Sequence, residues 1–429
     1  MAGFNYCVEV RAVKHVVEAE RALPLSGAYD VVVAGGGIAG VAAAVAGARN
    51  GASVCLLEKA FGLGGLATLG NVIVYLPICD GMGRQVMGGL AEELLHLSVA
   101  DLKRDNSPAR FKGVPACWLP GGDLEERKKT RFRTDFNPAS YQLALEKMLV
   151  DEGVKILYDT RVCAVDTDDQ MIHHVIVENK SGRTAIACGS VVDATGDADI
   201  CYLAGEETES LDSNVLAGWF YTLDENELKL RVMSNKFSEF CDKENAVGPF
   251  FRGDDGDQVS QHMIESHALM REKLAEFRAR APESDMQIIM HPSIACFRMT
   301  RRLVGSMSLS RNDVHTWFDD MIGYSSDWRK RGPVYAIPMR TICGVKMKNL
   351  TAVGRCMSAD TTIWDVTRAI PTCALTGEAA AIASAMAVQE FGGDIHAVPI
   401  DVLQKRLIDQ GGLLDPELVH PVEDVVVDG

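Results

Sequence analysis

The 429-residue chain has no surplus of positive charge: 43 lysines and arginines stand against 59 aspartates and glutamates, a formal net charge of −16. A sequence-independent nucleic-acid partner needs a basic surface to release counterions, so that class is excluded. Paired cysteines at metal or redox spacing are also missing. The 12 cysteines are scattered, with no CxxC pair and no Cys/His signature, and read as reduced, mostly buried small residues. No metal site is expected. No stretch reaches the ~20 apolar residues of a membrane span; residues 372–388 come nearest and are interrupted by Glu378. The first 20 residues carry charges throughout and hold no apolar core of a secretory signal. The expectation is a soluble, cytoplasmic protein with neither a membrane nor a nucleic-acid partner. Its 47% hydrophobic content is ordinary for a globular chain with room for two or three lobes.

What the chain does contain is DVVVAGGGIAG at residues 30–40, an apolar strand run emptying into glycines, followed by an almost pure Ala/Val helix to Arg49 and a stop at Gly51. Gly35, Gly37 and Gly40 fill the glycine positions of a dinucleotide turn. They remove side chains where backbone must turn sharply and approach a diphosphate. The start of the helix, at Gly36, Ile38 and Ala39, offers unpaired N–H groups and a positive dipole end. A second strand, residues 54–57, delivers Glu58 and Lys59 at its end, with Glu58 lying 18 positions after Gly40. A carboxylate there accepts hydrogen bonds from a ribose diol and repels a 2′-phosphate, which disfavours NADP. The fingerprint alone fits either NAD or FAD.

Further along, residues 61–70 form a second glycine-dense loop, FGLGGLATLG, too flexible for an element interior. Asn137 caps a helix that has Pro138 at its first position and ends before Gly153. Four strand-like runs follow at 155–158, 161–166, 174–178 and 184–187, and their simplest arrangement is a small antiparallel meander. The chain then re-enters the main sheet through SVVDATGDAD (190–199), and strand followed by glycine recurs in NLTAVGRCMSAD (349–360) before a small-residue helix at 371–389. Between 211 and 335 the pattern gains aromatics and arginines and a helix at 258–280, which suggests a covering lobe.

Together these segments resemble the FAD-dependent oxidoreductases of the glutathione-reductase structural class. The likeness rests on the fingerprint through Glu58-Lys59, GLGGLAT (62–68), VDATGD (192–197), RRLVG (301–305), GRCMSAD (354–360) and PTCALTGEAA (371–380), and covers about residues 29–412. It implies an α/β fold: a Rossmann-like FAD-binding domain of parallel sheet plus antiparallel β-meander, built from 28–104, 137–210 and 336–395. An excursion at 105–136, a second α+β substrate or cap lobe at 211–335, and a C-terminal helix with acidic tail at 396–429 complete it. The resemblance further implies Gly35, Gly37 and Gly40 at the FAD diphosphate, Glu58 at the adenosine ribose and Val162 backbone at the adenine. It puts Gly64, Gly65 and Thr68 near the ribityl chain and flavin, Thr195, Gly196 and Asp197 on the diphosphate side, and Gly354 and Arg355 near the flavin ring. Many members carry an acid directly after the glycine of the third motif; here Arg355 stands there and Asp360 comes later. No second strand-GxGxxG-helix unit exists for NAD(P)H, and no CxxxxC pair to relay electrons through a disulfide.

The function these features imply is hydride transfer between a small organic substrate and the flavin. His291, Arg301 and Arg340 are the candidate catalytic residues: His291 with the nearby Arg298, Arg301 and Arg302 could orient an anionic or hydroxyl-rich substrate, and one of Tyr335, Arg340 and Arg368 could face the flavin, with a surface histidine and ordinary salt bridges as the alternative. Two other readings remain open: a fumarate-reductase-like reductase of a small dicarboxylate, and an accessory FAD module that passes electrons to a redox partner protein.

Overall fold

The computed structural model describes residues 17–102, 113–224 and 227–422; parts of the 105–136 excursion and of the acidic tail lie outside them. Val31, Val32 and Val33 are fully buried, as a strand covered on both faces must be. They lie in β1 (Leu25–Ala34), at the middle of a seven-stranded sheet. The other strands are β2 (Val54–Leu57), β3 (Lys155–Leu157), β4 (Arg161–Asp168), β5 (Met171–Asn179), β6 (Gly182–Asp193) and β7 (Leu350–Ala352). Their order is β3-β2-β1-β6-β5-β4, with β7 also on β6. Strands β1, β2, β3, β6 and β7 run parallel, whereas β4, β5 and β6 form an antiparallel meander. This is the α/β architecture with parallel sheet and meander that the sequence suggests.

Two elements differ from expectation. The 155–157 run is not a meander strand but the parallel neighbour of β2. The runs at 184–187 and 190–193 are one strand, whose first half pairs with β5 and whose last residues pair with β7. Gly189 between them is not a break; a Cβ there would stand 2.8 Å from Val388 Cγ2 and 3.0 Å from the Asp30 carbonyl oxygen, so close packing requires glycine. Buried Asn349 seals the junction, accepting from Ile172 N at 2.8 Å and donating to the carbonyls of Ile172 and Gly189.

Among the described residues, six helices of about two and a half turns or longer surround the sheets: α1 (Ile38–Arg49), α2 (Leu90–Val99), α3 (Pro138–Asp151), α4 (Gly256–Arg280), α5 (Ile370–Glu390) and α6 (Ile400–Asp409). Asn137 caps α3 through Ala139 N and Ser140 N. Helices α1 and α5 are built from small residues and approach closely. A Cβ on Gly377 would fall 2.1 Å from the Ala39 carbonyl oxygen. Helix α5 is long and apolar enough to cross a membrane by length and composition, but it is packed inside the protein. The segment after 210 carries a three-stranded antiparallel sheet of 219–224, 227–232 and 287–290, packed with α4 around Phe220, Met233 and Met270. The boundary expected at 335 falls inside a hairpin, since Met321–Ser326 pairs with Val334–Pro338 and both join the core under α5.

Glu378 lies in the middle of α5, 4% exposed, and its Oε2 accepts from Leu90 N at 2.9 Å, capping α2 from a distance. Burial outweighs that hydrogen bond and pushes its carboxyl up to about 7 from 4.5. Folding therefore favours the protonated form: the stabilisation is full below the unfolded value and is lost as pH rises through the folded one. Glu378→Gln keeps an acceptor for Leu90 N and removes the titration. Its stability should match the wild type near pH 4 and exceed it at pH 8 by about 3 kcal/mol, read by urea unfolding at both pH values. Equal stabilities at both would contradict the assignment.

Candidate active site

Strand β1 ends at Ala34, and Gly35 turns away with φ +104, its N–H on the Leu57 carbonyl. Glycine is required here twice over, because a Cβ would lie 2.4 Å from the Ala194 oxygen. Gly40 is required as well: its Cβ would stand 1.8 Å from the Gly35 oxygen. Gly37 is different. Its backbone is extended (φ −67, ψ 178), open to any residue, and nothing lies within 4 Å of a Cβ built on it. It is the N-cap of α1, yet no side chain caps that helix. A serine would serve α1 better, so neither the conformation nor the packing of the protein explains the glycine. Close approach of a ligand does.

Gly37 faces a cavity of about 640 Å³. On one side the contacts run from Glu58 through the first turn to the glycine-dense loop. The Glu58 carboxylate is 8% exposed and accepts from Gly36 N at 2.6 Å and Ala60 N at 2.7 Å, locking the turn to the end of β2. Thr160 N bonds the Glu58 carbonyl, which brings Arg161 and Val162 to the same end. Gly64 N bonds the Gly36 carbonyl, and Leu66 and Leu69 continue the wall.

The opposite wall starts at the end of β6. Asp193, fully buried, accepts from Thr195 N and Oγ1 and from Ile200 N and Cys201 N, while the Cys356 thiol accepts from Gly196 N and Ala198 N. These bonds hold the Thr195-Gly196-Asp197 turn against the cavity. Arg355 clamps it: Nε donates to the Gly196 carbonyl at 2.6 Å, Nη2 to Asp197 Oδ1 at 2.9 Å, and Nη1 to the Phe297 carbonyl at 2.6 Å. Burial, then the carboxylates of Asp197 and Asp193, push Asp199 up to about 6. From Phe297 the wall continues through Arg298 to Arg368 and the first turn of α5 at Ile370 and Cys373.

Of the residues singled out in the sequence, Gly35, Gly37, Ile38, Ala39, Glu58, Lys59, Gly64, Gly65, Val162, Thr195, Gly196, Asp197 and Arg355 line this cavity. Gly36, Gly40, Thr68, Gly354 and Asp360 do not. Thr68 turns inward to the Leu63 carbonyl, Gly354 packs on Ala39 and Cys373, and Asp360 caps its own loop through Thr362 N and Oγ1. Nor do His291, Arg301 and Arg340. His291 bonds the Pro292 carbonyl and meets His267 edge to face. Arg301 lies behind the wall, on the Asp197 carbonyl and the Asp199 carboxylate, and Arg340 pairs with Asp320.

Two further groups reach the cavity, the first without a signal in the sequence and the second foreshadowed there only residue by residue. The Gly253-Asp-Asp-Gly256 loop, at the start of α4, closes the cavity from the lobe side. Arg298 and Arg368 share Asp365 across 67 residues of sequence: Arg298 Nη2 lies 2.8 Å from Asp365 Oδ1, and Arg368 Nη2 bonds the same oxygen. Burial, then Arg368, pull Arg298 down to about 9. Burial would raise Asp365, but the two arginines outweigh it and hold its carboxyl below the usual range.

A model of the family described as FAD dependent oxidoreductase matches residues 30–215 and 220–407, nearly the whole described chain. The protein belongs to the FAD dependent oxidoreductase family. Its cofactor is FAD. A thioredoxin reductase of Ureaplasma parvum serovar 3 is 40% identical over 72 residues, which is 17% of this chain and 23% of that protein's own length. Among solved structures, a p-nitrophenol 4-monooxygenase from Pseudomonas putida aligns over 89% of this chain and 84% of its own at 14% identity and TM-score 0.44. A geranylgeranyl bacteriochlorophyll reductase-like protein from Thermoplasma acidophilum aligns over 90% and 84% at 12% identity and TM-score 0.40.

In this FAD dependent oxidoreductase, Gly37→Ser should leave the unfolding of FAD-free protein unchanged or slightly more stable, since serine is a favoured N-cap. FAD affinity should fall about tenfold or more, because the side chain enters the open cradle. Gly40→Ala should instead destabilise the FAD-free protein by about 2 kcal/mol. Thermal melts with FAD fluorescence titration separate the two. Equal destabilisation by both substitutions would contradict the distinction.

Proposed function

We propose that the enzyme transfers hydride between a small organic substrate and its flavin, with the 211–335 segment recognising the substrate. The observation that carries this reading is the open cradle at Gly37, shared by a cavity that reaches the first turns of both α1 and α5. The N–H groups of Gly37, Ile38 and Ala39 would hold the diphosphate, since those of Gly35 and Gly36 are taken by Leu57 and Glu58, and Glu58 would hold the adenosine ribose. Arg161 and Val162 would border the adenine, and Gly64 and Gly65 the ribityl chain. When bound, FAD supplies the hydride acceptor and donor.

The chain's own residues would then tune and shield that chemistry. The first turn of α5 aims a positive dipole end into the cavity beside Ile370 and Cys373, where it would stabilise negative charge on a reduced ring. Ile294, Ala295 and Phe297 give that end an apolar wall that excludes water. Burial pushes the Cys373 thiol up to about 12, so it stays protonated and is no nucleophile. Among the described residues it is also the only cysteine lining the cavity, which speaks for a substrate that reduces or oxidises the flavin directly rather than through a dithiol.

The purified protein should be yellow with stoichiometric FAD, and anaerobic screening of small metabolites should find one that bleaches it. Bleaching only by a reduced protein would support an electron-transfer module instead. A colourless chain that takes up no added FAD would overturn the proposal.

A further inference from the structure

The proposed reading leaves open what the substrate looks like, and the cavity's second wall speaks to that. Arg298 and Arg368 both line the cavity, next to the start of α5. Asp365, 1% exposed, is the acceptor for both side chains, and it meets them through one oxygen, Oδ1. Its Oδ2 and the Nε of each arginine have no hydrogen-bond partner. The neighbouring Arg329 does not share this shortage, since both oxygens of Asp327 bond it at 3.0 Å and Glu239 adds a third contact. Two guanidinium groups thus face one carboxylate, which leaves a net positive charge and unused donors in a half-enclosed apolar setting formed by Phe297 and by Phe237, whose ring lies 3.6 Å from Arg298 Cζ. An isolated charge so placed is costly unless it is paired.

Other acids near the cavity are already engaged. Asp197 is held by Arg355 and Thr300, Asp254 by Arg252 and Ser210, and Asp199 by Arg301. None of these hydrogen bonds reaches the Arg298 and Arg368 pair.

Resting on the FAD reading above, we infer that Arg298 and Arg368 form an anion subsite beside the flavin end of the cavity, built for a carboxylate group of the substrate. A planar carboxylate matches the guanidinium fork and would supply the second negative charge that the pair lacks. Of the arginines that the sequence offers for an anionic substrate, Arg301 and Arg302 have carboxylate partners of their own within the fold, whereas Arg298 shares one with Arg368.

The test uses FAD-loaded protein titrated with acetate, malonate and sulfate, followed by flavin difference spectra and calorimetry. Acetate or malonate should perturb the flavin saturably, with sulfate weaker. Arg298→Gln and Arg368→Gln should each weaken carboxylate binding about tenfold or more while FAD affinity stays near wild type. Arg298→Lys, which keeps the charge but loses the fork, should lie between. Wild-type holoprotein that responds to none of the anions, or to sulfate as strongly as to carboxylates, overturns the subsite. Variants that fold but lose FAD overturn it too, because the arginines would then serve a cofactor phosphate. A wild-type chain that never binds FAD refutes the underlying reading instead, so the two failures are distinguishable.

Discussion

The close approach of α1 and α5 is the constraint on which the site depends. Ala39, at the start of α1, packs on α5 two turns into that helix and on the turn at Gly354: its carbonyl oxygen would be struck by any side chain at 377, and its methyl by any at 354. With glycine at both places the two helix starts converge, and Ile38, Ala39, Ile370 and Cys373 reach one cavity. Each helix start brings N–H groups without intrahelical partners. One suits a diphosphate and the other an electron-rich ring, so a packing requirement becomes an electrostatic one. The Ala and Gly composition of both helices therefore has a single physical cause.

Charge is distributed against the average of the chain. Although the net charge is −16, the cavity's second wall is arginine-rich, with Arg355, Arg298 and Arg368 following one another along it. Arg355 is neutralised by Asp197 and bound to two carbonyls, which makes it a structural clamp. The Gly196 turn that it grips could not carry a Cβ, which would fall 2.8 Å from Arg355 Nη2.

The first half of this arrangement was legible in the sequence because it is local. Strand, glycines, small-residue helix and terminal carboxylate between residues 30 and 59 each carry their own signal, and β1, α1 and β2 appear where those signals put them. The N-cap at Asn137 was legible for the same reason. The continuous β6 was not, because Gly189 signals a break to any local reading and is set instead by its contacts with Val388 and Asp30. Thr68 and Asp360 turn away from the cavity because short polar side chains satisfy nearby groups of their own loops as readily as a ligand. Arg298, Asp365 and Arg368 can each be picked out singly in the sequence, but their cluster joins segments 67 residues apart, and nothing in either segment names the other.

Hydrogen–deuterium exchange with and without FAD tests the central claim most directly. Amides at a helix start exchange quickly unless something binds them. FAD should protect residues 35–40, 64–65 and 370–374 together, over the same range of concentration. Protection confined to one helix start, or found only in the 211–335 segment, would contradict a cofactor site built by the convergence of α1 and α5.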